Sequence, residues 1–387
     1  MNKEFDLLVF IGRFQPFHNE HKRIIEVGLE KARHVLVLVG SAGSPRTIRN
    51  PFTYQERKGM IEKNFPHPYI GVGSEAYALP KFHTPQLVIK PLFDKTYNDS
   101  AWIKQVQTLV NAVAMDIANP GMKDQVFRPN GIKDVKIGLI GASKDNTSYY
   151  LKMFPQWASV DVPIEFDTHA TFIRESYFDE TLDIDQLDAD LPENVIDFLY
   201  GPAEDDPDGT GYQGTTLGFD STAYFKQLQS ELRFVRDYKK QWAVSPYPVK
   251  HMTVDAVVEQ SGHILLVKRR AEPGKGLWAL PGGHLNEYER LEDGMIRELR
   301  EETLIKVPAP VLRGNIHANR TFDDPHRSTI GRVITQAYHI KLPDAVELPR
   351  VKGADDAEKA KWVPIGELRE EDFFDDHFHI ISFFLGL

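Results

Sequence analysis

The stretch Leu7-Leu8-Val9-Phe10-Ile11-Gly12-Arg13-Phe14-Gln15-Pro16-Phe17-His18-Asn19-Glu20-His21 decides how the first half of the chain folds. Five apolar residues stop at Gly12, a short polar turn follows, and a helical pattern runs from about Asn19 to Lys31. A continuous apolar run of this length marks a strand buried on both faces, and a strand handing over to a helix is half of a parallel crossover unit. Working outward, Val35 to Val39 repeats the buried-strand pattern and closes on Gly40, and Thr53-x-x-Glu56 after Pro51 is a capping box that opens a second helix. Leu87 to Leu92, Ala101 to Ala114 and Val135 to Ile140 continue the alternation. The expectation is an α/β domain over residues 1–185, a doubly wound parallel sheet whose ligands sit at the carboxyl ends of its strands.

Beyond it the rhythm changes. Leu182 to Asp190 is acidic, and Ala203 to Gly218 is crowded with Asp, Gly, Pro and Thr, which reads as linker over 186–245. Within it Tyr224, Leu228, Leu232, Val235, Tyr238 and Trp242 recur at helical spacing, predicting an amphipathic helix that ends before Pro246 and Pro248. The Asp205 to Gly209 run lacks the spacing of a calcium loop and reads as turn. From His251 the pattern is β-rich, with strands at Thr253 to Val258, Ile264 to Lys268 and around Arg332 to Ile340, and one helix at Leu291 to Glu302. A second domain, α+β, is therefore expected over 246–387.

Composition agrees with a multidomain soluble protein. The chain has 387 residues, 41% of them hydrophobic and 26% charged, enough apolar material for more than one core. Lys plus Arg is 46 against 56 for Asp plus Glu, so the formal charge of −10 disfavours a general nucleic-acid surface. There is no cysteine, which removes disulfides, thiolate nucleophiles and cysteine metal sites. No apolar run approaches the roughly 18 residues of a membrane span, and Met1 to Asp6 is too polar for a signal peptide, so a cytoplasmic protein is expected.

Two constellations carry chemistry. At the first strand-to-helix turn, backbone N–H groups favour anions, and His18 and His21 add two donors on the first helical turn while Arg13 adds fixed charge. A histidine pair alone is weak, because 14 His in 387 residues give this spacing about 0.5 times by chance. Its place after the first strand strengthens it. In the second constellation Glu298, Glu301 and Glu302 fall at i, i+3 and i+4 and so share one helical face. Like charges so arranged repel unless cations join them, and Mg²⁺ or Mn²⁺, bound by carboxylates and by a substrate's phosphates, is the natural partner. A solvated charged face, with Arg297 and Arg300 as helical partners, is the alternative for the glutamates taken alone.

His18-Asn19-Glu20-His21 resembles the H-x-G-H signature of the nucleotidyltransferase superfamily, with Glu20 in the place of its glycine. Other segments narrow the resemblance to nicotinamide mononucleotide (NMN) adenylyltransferases of the archaeal type. Gly40-Ser41-Ala42 with Arg46, Arg49, Asn50 and Arg57 looks like that group's second motif. Asp94, Asn98 and Trp102 look like its nicotinamide-side motif, and Thr171-Phe172-Ile173-Arg174 like the end of its phosphate motif, where His169 and Ala170 replace the usual Ser and Gly. The resemblance implies a Rossmann-like fold and transfer of AMP from ATP, with Mg²⁺, to NMN, giving NAD and pyrophosphate. Arg13, His18, His21 and Arg174 would surround the phosphates. Gly12, Phe14, Gln15, Gly40, Ser41, Arg46, Arg49, Asn50, Arg57, Asp94, Asn98, Trp102 and Thr171 would line the ATP and NMN sites, with Trp102 on the nicotinamide ring.

Gly283 to Ile305 matches the Nudix box, G-x5-E-x7-R-E-U-x-E-E-x-G-U, with Gly283, Glu289, Arg297, Glu298, Leu299, Glu301, Glu302 and Ile305 in register and Leu304 where glycine is usual. This resemblance implies a Nudix fold and metal-dependent hydrolysis of a nucleoside diphosphate linked to another group. Gly283, Glu289, Glu298, Glu301 and Glu302 would hold the metal and Arg297 would orient them. Asp323-Asp324-Pro325-His326-Arg327 and Gly331-Arg332 resemble the ADP-ribose branch, which implies Asp324, Arg327 and Arg332 as ligand contacts; these loops are equally ordinary turn chemistry. The expectation is a fused enzyme acting on ATP, NMN, NAD and ADP-ribose, a homo-oligomer being open. The alternatives are a different acceptor such as nicotinate mononucleotide, Nudix action on NADH or dinucleoside polyphosphates, and a Nudix half that senses a ligand.

Overall fold

The computed structural model describes residues 3–65, 86–118, 135–142, 150, 152–165, 168–181, 187, 189–201 and 218–387. The chain forms two compact units, the first made of Met1–Ser44, Asn50–Asp94 and Asp99–Lys226, the second of Pro45–Arg49, Lys95–Asn98 and Gln227–Leu387. Most of the Ala203 to Gly218 stretch, together with His67 and His83, lies outside the described residues.

In the first unit β1 (Phe5–Gly12), β2 (Ala32–Val39), β3 (Gln86–Pro91), β4 (Ile137–Gly141) and β5 (Ala158–Asp161) form one sheet in the order β3-β2-β1-β4-β5. Every pairing is parallel. The order reverses between β1 and β4, so the strand-end crevice opens where these two neighbouring strands finish. The continuous apolar runs are explained by burial on both faces. Leu7, Val9, Ile11, Leu36 and Leu38 pack with Val106, Val110 and Val113 of α3 (Asp99–Ala118), while Val35 and Ile140 lie against Gly28 of α1 (Asn19–Lys31), at 3.1 and 3.6 Å from where its Cβ would sit. The helix α2 (Tyr54–Asn64) starts at the expected box: Glu56 N–H donates to Thr53 Oγ1 and Thr53 N–H to Glu56 Oε2, at 3.3 and 2.8 Å.

The stretch 186–245 is divided between the units instead of standing apart. Its first part, with α4 (Ala170–Phe178) before it, supplies α5 (Glu193–Tyr200) and a short turn at Phe219–Ser221. Phe198 and Phe219 close on Phe52 at 5.6 and 5.2 Å, so aromatic packing ties this segment to the first unit. The expected amphipathic helix is present as α6 (Ala223–Trp242).

The second unit is built on a mixed sheet, β10 (Ile316–Phe322), β11 (Arg332–Lys341), β6 (Lys250–Gln260), β7 (His263–Arg269) and β12 (Ala357–Pro364), in that order, with β8 (Trp278–Ala279) on β7 and β9 (Gly282–His284) on β6. Only β11 and β6 run parallel in the main path. Side-chain alternation gives the sheet two apolar faces. Val254, Ala256 and Val258 meet Met295, Ile296 and Leu299 of α7 (Leu291–Thr303), and Val257, Ile264 and Leu266 meet Ile380 and Ile381 of α9 (His377–Leu385), the short α8 (Ala309–Gly314) lying between these helices in sequence. The second unit is thus a mixed sheet between helices and the first a parallel sheet with helices on both faces, as expected for each half. No helix of the described residues is long and apolar enough to cross a membrane.

Candidate active sites

At the end of β1 the chain turns through Phe14, whose φ of 54° is left-handed and whose buried ring would lie 2.8 Å from a Cβ on Gly12. Glycine is required there by close approach. The turn is held by side chains that reach backbone oxygens. Arg57, 1% exposed, donates from Nη1 to the carbonyls of Arg13 (2.6 Å) and Gly40 (2.7 Å), from Nη2 to Ser41 (3.0 Å) and from Nε to Thr53 (3.2 Å). Burial lowers its pKa to about 10, against the opposing pull of Asp94. The Gln15 amide brackets Phe52, donating to its carbonyl at 2.9 Å and accepting from its N–H at 3.0 Å. Arg174 Nη1 donates to the Gln15 carbonyl at 2.6 Å and Nη2 to Thr171 Oγ1 at 3.1 Å.

Onto this frame α1 places the histidines. His18 precedes the helix and its N–H donates to His21 Nδ1 at 3.3 Å. The two rings stack at 3.5 Å, and His21 lies against Phe17 and edge-on to Phe14, at 5.9 and 4.8 Å. Glu20 is turned elsewhere: buried, it pairs with Arg23 at 2.8 Å and accepts from the N–H of Glu165. The residue in the glycine position is thus accommodated by an ion pair on another face of the helix. Arg13 is exposed, with its Cγ 3.7 Å from where a Cβ on Gly40 would stand.

In the second unit α7 carries the carboxylates. Arg297 donates from Nε to Glu289 Oε1 (2.8 Å), from Nη2 to Glu289 Oε2 (2.9 Å) and to the His284 carbonyl (3.1 Å), and from Nη1 to Glu298 (2.9 Å) and Glu301 (3.0 Å). One planar guanidinium therefore fixes three carboxylates, which a lysine point charge does not do. It holds Glu289 below the usual carboxylate range, while burial raises Glu298 despite Arg297. Glu302 accepts from the Gly282 N–H at 3.0 Å, and burial pushes it up to about 8. A Cβ on Gly283 would come within 2.6 Å of Glu298 Oε1, so glycine leaves the room in which that carboxylate sits. Leu304 ends the helix in the left-handed conformation, φ 47° and ψ 30°, which a glycine adopts without strain.

Residues 9–135 match the cytidylyltransferase-like family and residues 249–384 the NUDIX domain family. A nicotinamide/nicotinic acid mononucleotide adenylyltransferase of Acinetobacter baylyi is 35% identical over 231 residues, covering 59% of this chain and 95% of that protein. An ADP-ribose pyrophosphatase of Methanocaldococcus jannaschii is 30% identical over 157 residues, 41% of this chain and 84% of its own length. The crystal structure of a bifunctional NMN adenylyltransferase/ADP-ribose pyrophosphatase of Francisella tularensis, complexed with AMP and a Mn ion, is 30% identical, covers 99% of both chains and superposes with a TM-score of 0.78. The chain belongs to this bifunctional family.

Within that family frame the structure sorts the residues singled out by sequence. Gly12, Arg13, Phe14, Gln15, His18, His21, Gly40, Ser41, Asn50, Arg57, Asp94, Trp102, Thr171 and Arg174 lie in the first unit, whereas Arg46, Arg49 and Asn98 fall in the second. There Arg49 Nη1 donates to the His326 carbonyl at 2.6 Å. Gln15, Arg57 and Arg174 hold the turn through backbone oxygens, a framework role that motif matching does not separate from ligand contact. Trp102 packs on the β-sheet core beside Phe154, at 6.1 Å. In the second unit Arg327 is buried, and its fork is taken by Asp376 at 2.9 and 2.8 Å, with the Tyr97 hydroxyl on the same carboxylate. Asp324 Oδ1 accepts from the His326 N–H at 2.7 Å. Arg332, partly exposed, bonds the Asp323 carbonyl.

Sequence reasoning missed Asp255, which is buried and accepts from Thr335, and Arg269, which lies 4.0 Å over the Phe374 ring. Neither stands in a motif, and no spacing signal marks them. His377 is buried, and its Nδ1 accepts from the Leu280 N–H at 2.8 Å.

Proposed function

We propose that the first unit transfers AMP from ATP to NMN, giving NAD and pyrophosphate, and that the second hydrolyses ADP-ribose to AMP and ribose 5-phosphate. The observation that carries this reading is the match to the Francisella tularensis bifunctional enzyme along 99% of both chains, with the carboxylate set of α7 complete. We assign the core of the transferase to 1–185 and the core of the hydrolase to 246–387, with the segment between them contributing to both units.

In the transferase reaction the 5′-phosphate of NMN attacks the α-phosphorus of ATP and pyrophosphate leaves. The nucleophile is already an anion, so positioning and positive charge supply the catalysis. The turn after β1 offers its backbone, and His18, His21 and Arg13 add donors beside it. Arg57 and Arg174 fix the carbonyls that shape this turn.

The hydrolase residues fit a divalent cation. Their donors are hard carboxylate oxygens, Gly283 leaves space at Glu298, and the acids outnumber the one arginine among them. Among the described residues no three donors already converge on one point, since Arg297 lies among them. Glu298, Glu301, Glu302, Glu289 and the Gly283 carbonyl would hold Mg²⁺ or Mn²⁺, which supplies polarisation of the diphosphate and a more acidic water. Arg297 orients the carboxylates. The chain acts on small nucleotides in the cytoplasm, with no nucleic-acid partner, a reading supported by its net charge of −10.

The test incubates the full-length protein with Mg²⁺ and either ATP plus NMN or ADP-ribose, following NAD, AMP and ribose 5-phosphate by chromatography. Both product sets are expected. Absence of NAD overturns the first assignment and survival of ADP-ribose the second. Because the Acinetobacter relative is named for both mononucleotides, a parallel reaction with nicotinate mononucleotide decides the acceptor.

A further inference from the structure

The second unit carries an array of rings that the reading above does not use. Tyr238 and Trp242 stand one turn apart on α6, so they share a face, with centroids 6.3 Å apart. Both meet the imidazole of His251 on β6, at 5.6 and 5.1 Å, Trp242 approaching at 75°. His251 in turn meets His284 on β9 at 5.8 Å. The register explains this chain of contacts: Thr253 pairs with His284, and His251 lies two residues before Thr253, on the same face of the sheet.

One end of this strip lies at the carboxylates. His284 follows Gly283, and its carbonyl accepts from Arg297. The other end is open, since Trp242 is 45% exposed, far from the burial that core packing gives an indole. Gly331, at φ 155°, puts no side chain beside His251; a Cβ there would stand 3.9 Å from its Cδ2. A row of rings that starts at a diphosphate-hydrolysing centre, is buried at His251 and is exposed at Trp242 and His284 offers ring faces at its ends that can stack a flat heteroaromatic base, and a base is separated from its diphosphate by a single ribose.

We propose that the Tyr238, Trp242, His251 and His284 strip is the base-binding subsite of the hydrolase, stacking adenine while the carboxylates around Arg297 engage the diphosphate. The proposal rests on the hydrolase reading, and its test separates the two. Full-length Trp242→Ala and Trp242→Phe are compared with the parent chain in ADP-ribose hydrolysis, with NAD formation by the first unit as the check of folding. Trp242→Ala raises KM for ADP-ribose about tenfold with kcat changed less than twofold, and Trp242→Phe restores most of the loss, because phenylalanine keeps a stacking face. The KM for a uridine diphosphate sugar, whose base offers a smaller face, shifts less. An unchanged KM in Trp242→Ala, or an equal fall of kcat on both substrates, overturns the proposal. If the parent chain leaves ADP-ribose intact, the hydrolase reading fails by itself. Equilibrium dialysis of AMP with Mn²⁺ then still tests the strip: weaker binding in Trp242→Ala upholds it and equal binding sinks it.

Discussion

At the strand-end turn of the first unit the buried charges are cations held by carbonyls, whereas on the carboxylate helix of the second they are acids held by N–H donors and one guanidinium. Arg57 and Arg174 converge on the oxygens of Arg13, Gly40, Ser41 and Gln15, and Glu298 and Glu302 lean on Arg297 and on the Gly282 N–H. The polarity follows the ligand. A crevice that receives triphosphate and mononucleotide needs positive framework groups, while a site that gathers divalent cations needs carboxylates in excess of their arginine. The two regions also differ in how their residues meet. On α7 three glutamates sit within one turn of helix, so spacing in the chain is spacing in the molecule. At the β1 turn the partners come from strand ends and helices far apart in sequence.

Replacing Arg57 attacks the cationic side of this contrast and has the largest expected effect. Arg57→Ala leaves four backbone carbonyls without their donor in a buried place, a loss of about 3–5 kcal/mol. Denaturant unfolding of the full chain, read together with NAD formation, shows a weakened first transition and lost synthesis while ADP-ribose hydrolysis persists. Hydrolysis lost in parallel breaks the separation of the two regions.

Glu231 on α6 tests the acidic side. It is 2% exposed and accepts from the Ile48 N–H at 3.2 Å, and burial pushes its carboxyl up to about 7 from an ordinary 4.5. Below pH 4.5 both folded and unfolded states hold this proton. Between 4.5 and 7 the unfolded chain releases it while the folded chain keeps it, so stability falls as pH rises and levels off above 7. The contribution is on the order of 3 kcal/mol. Glu231→Gln flattens this fall, measured as the melting temperature between pH 4.5 and 8; an unchanged slope removes Glu231 from the account.

Arg297→Lys sharpens the comparison, because lysine keeps the charge but not the fork that reaches Glu289, Glu298 and Glu301. Hydrolysis is expected to fall ~10–100-fold with no change in NAD formation, as for groups that orient metal-binding carboxylates. Full activity in the lysine variant shows that charge alone suffices. The smallest effect comes from Leu304→Gly, which relieves a left-handed leucine and stabilises the second unit by about 1 kcal/mol. A melting temperature that drops instead places the value of Leu304 in its packing, although the residue is 41% exposed.

Legibility in the sequence follows the same division. The strands at Leu7 to Ile11 and Val35 to Val39, the helix from Asn19 and the Nudix helix from Leu291 were readable because burial on two faces and helical periodicity are local patterns. The position of Leu304 at the helix end was readable too, since the motif fixes its offset. The framework roles of Arg57, Gln15 and Arg174 were not, because each depends on a backbone oxygen supplied by tertiary structure. Arg327 shows the limit most clearly: its motif position suggested a ligand contact, and its fork is occupied by Asp376, 49 residues further on. Nor did composition reveal that the segment around Phe198 and Phe219 packs with Phe52, because aromatic contacts across long separations leave no periodic trace.

The central claim is that one chain holds two chemically separate sites, and a crossed pair of variants tests it most directly. His21→Ala and Glu298→Gln are each assayed for NAD formation from ATP and NMN and for AMP release from ADP-ribose. The account predicts that His21→Ala loses synthesis and keeps hydrolysis, while Glu298→Gln does the reverse. A variant that abolishes both activities, or one that leaves its own site at full rate, contradicts it.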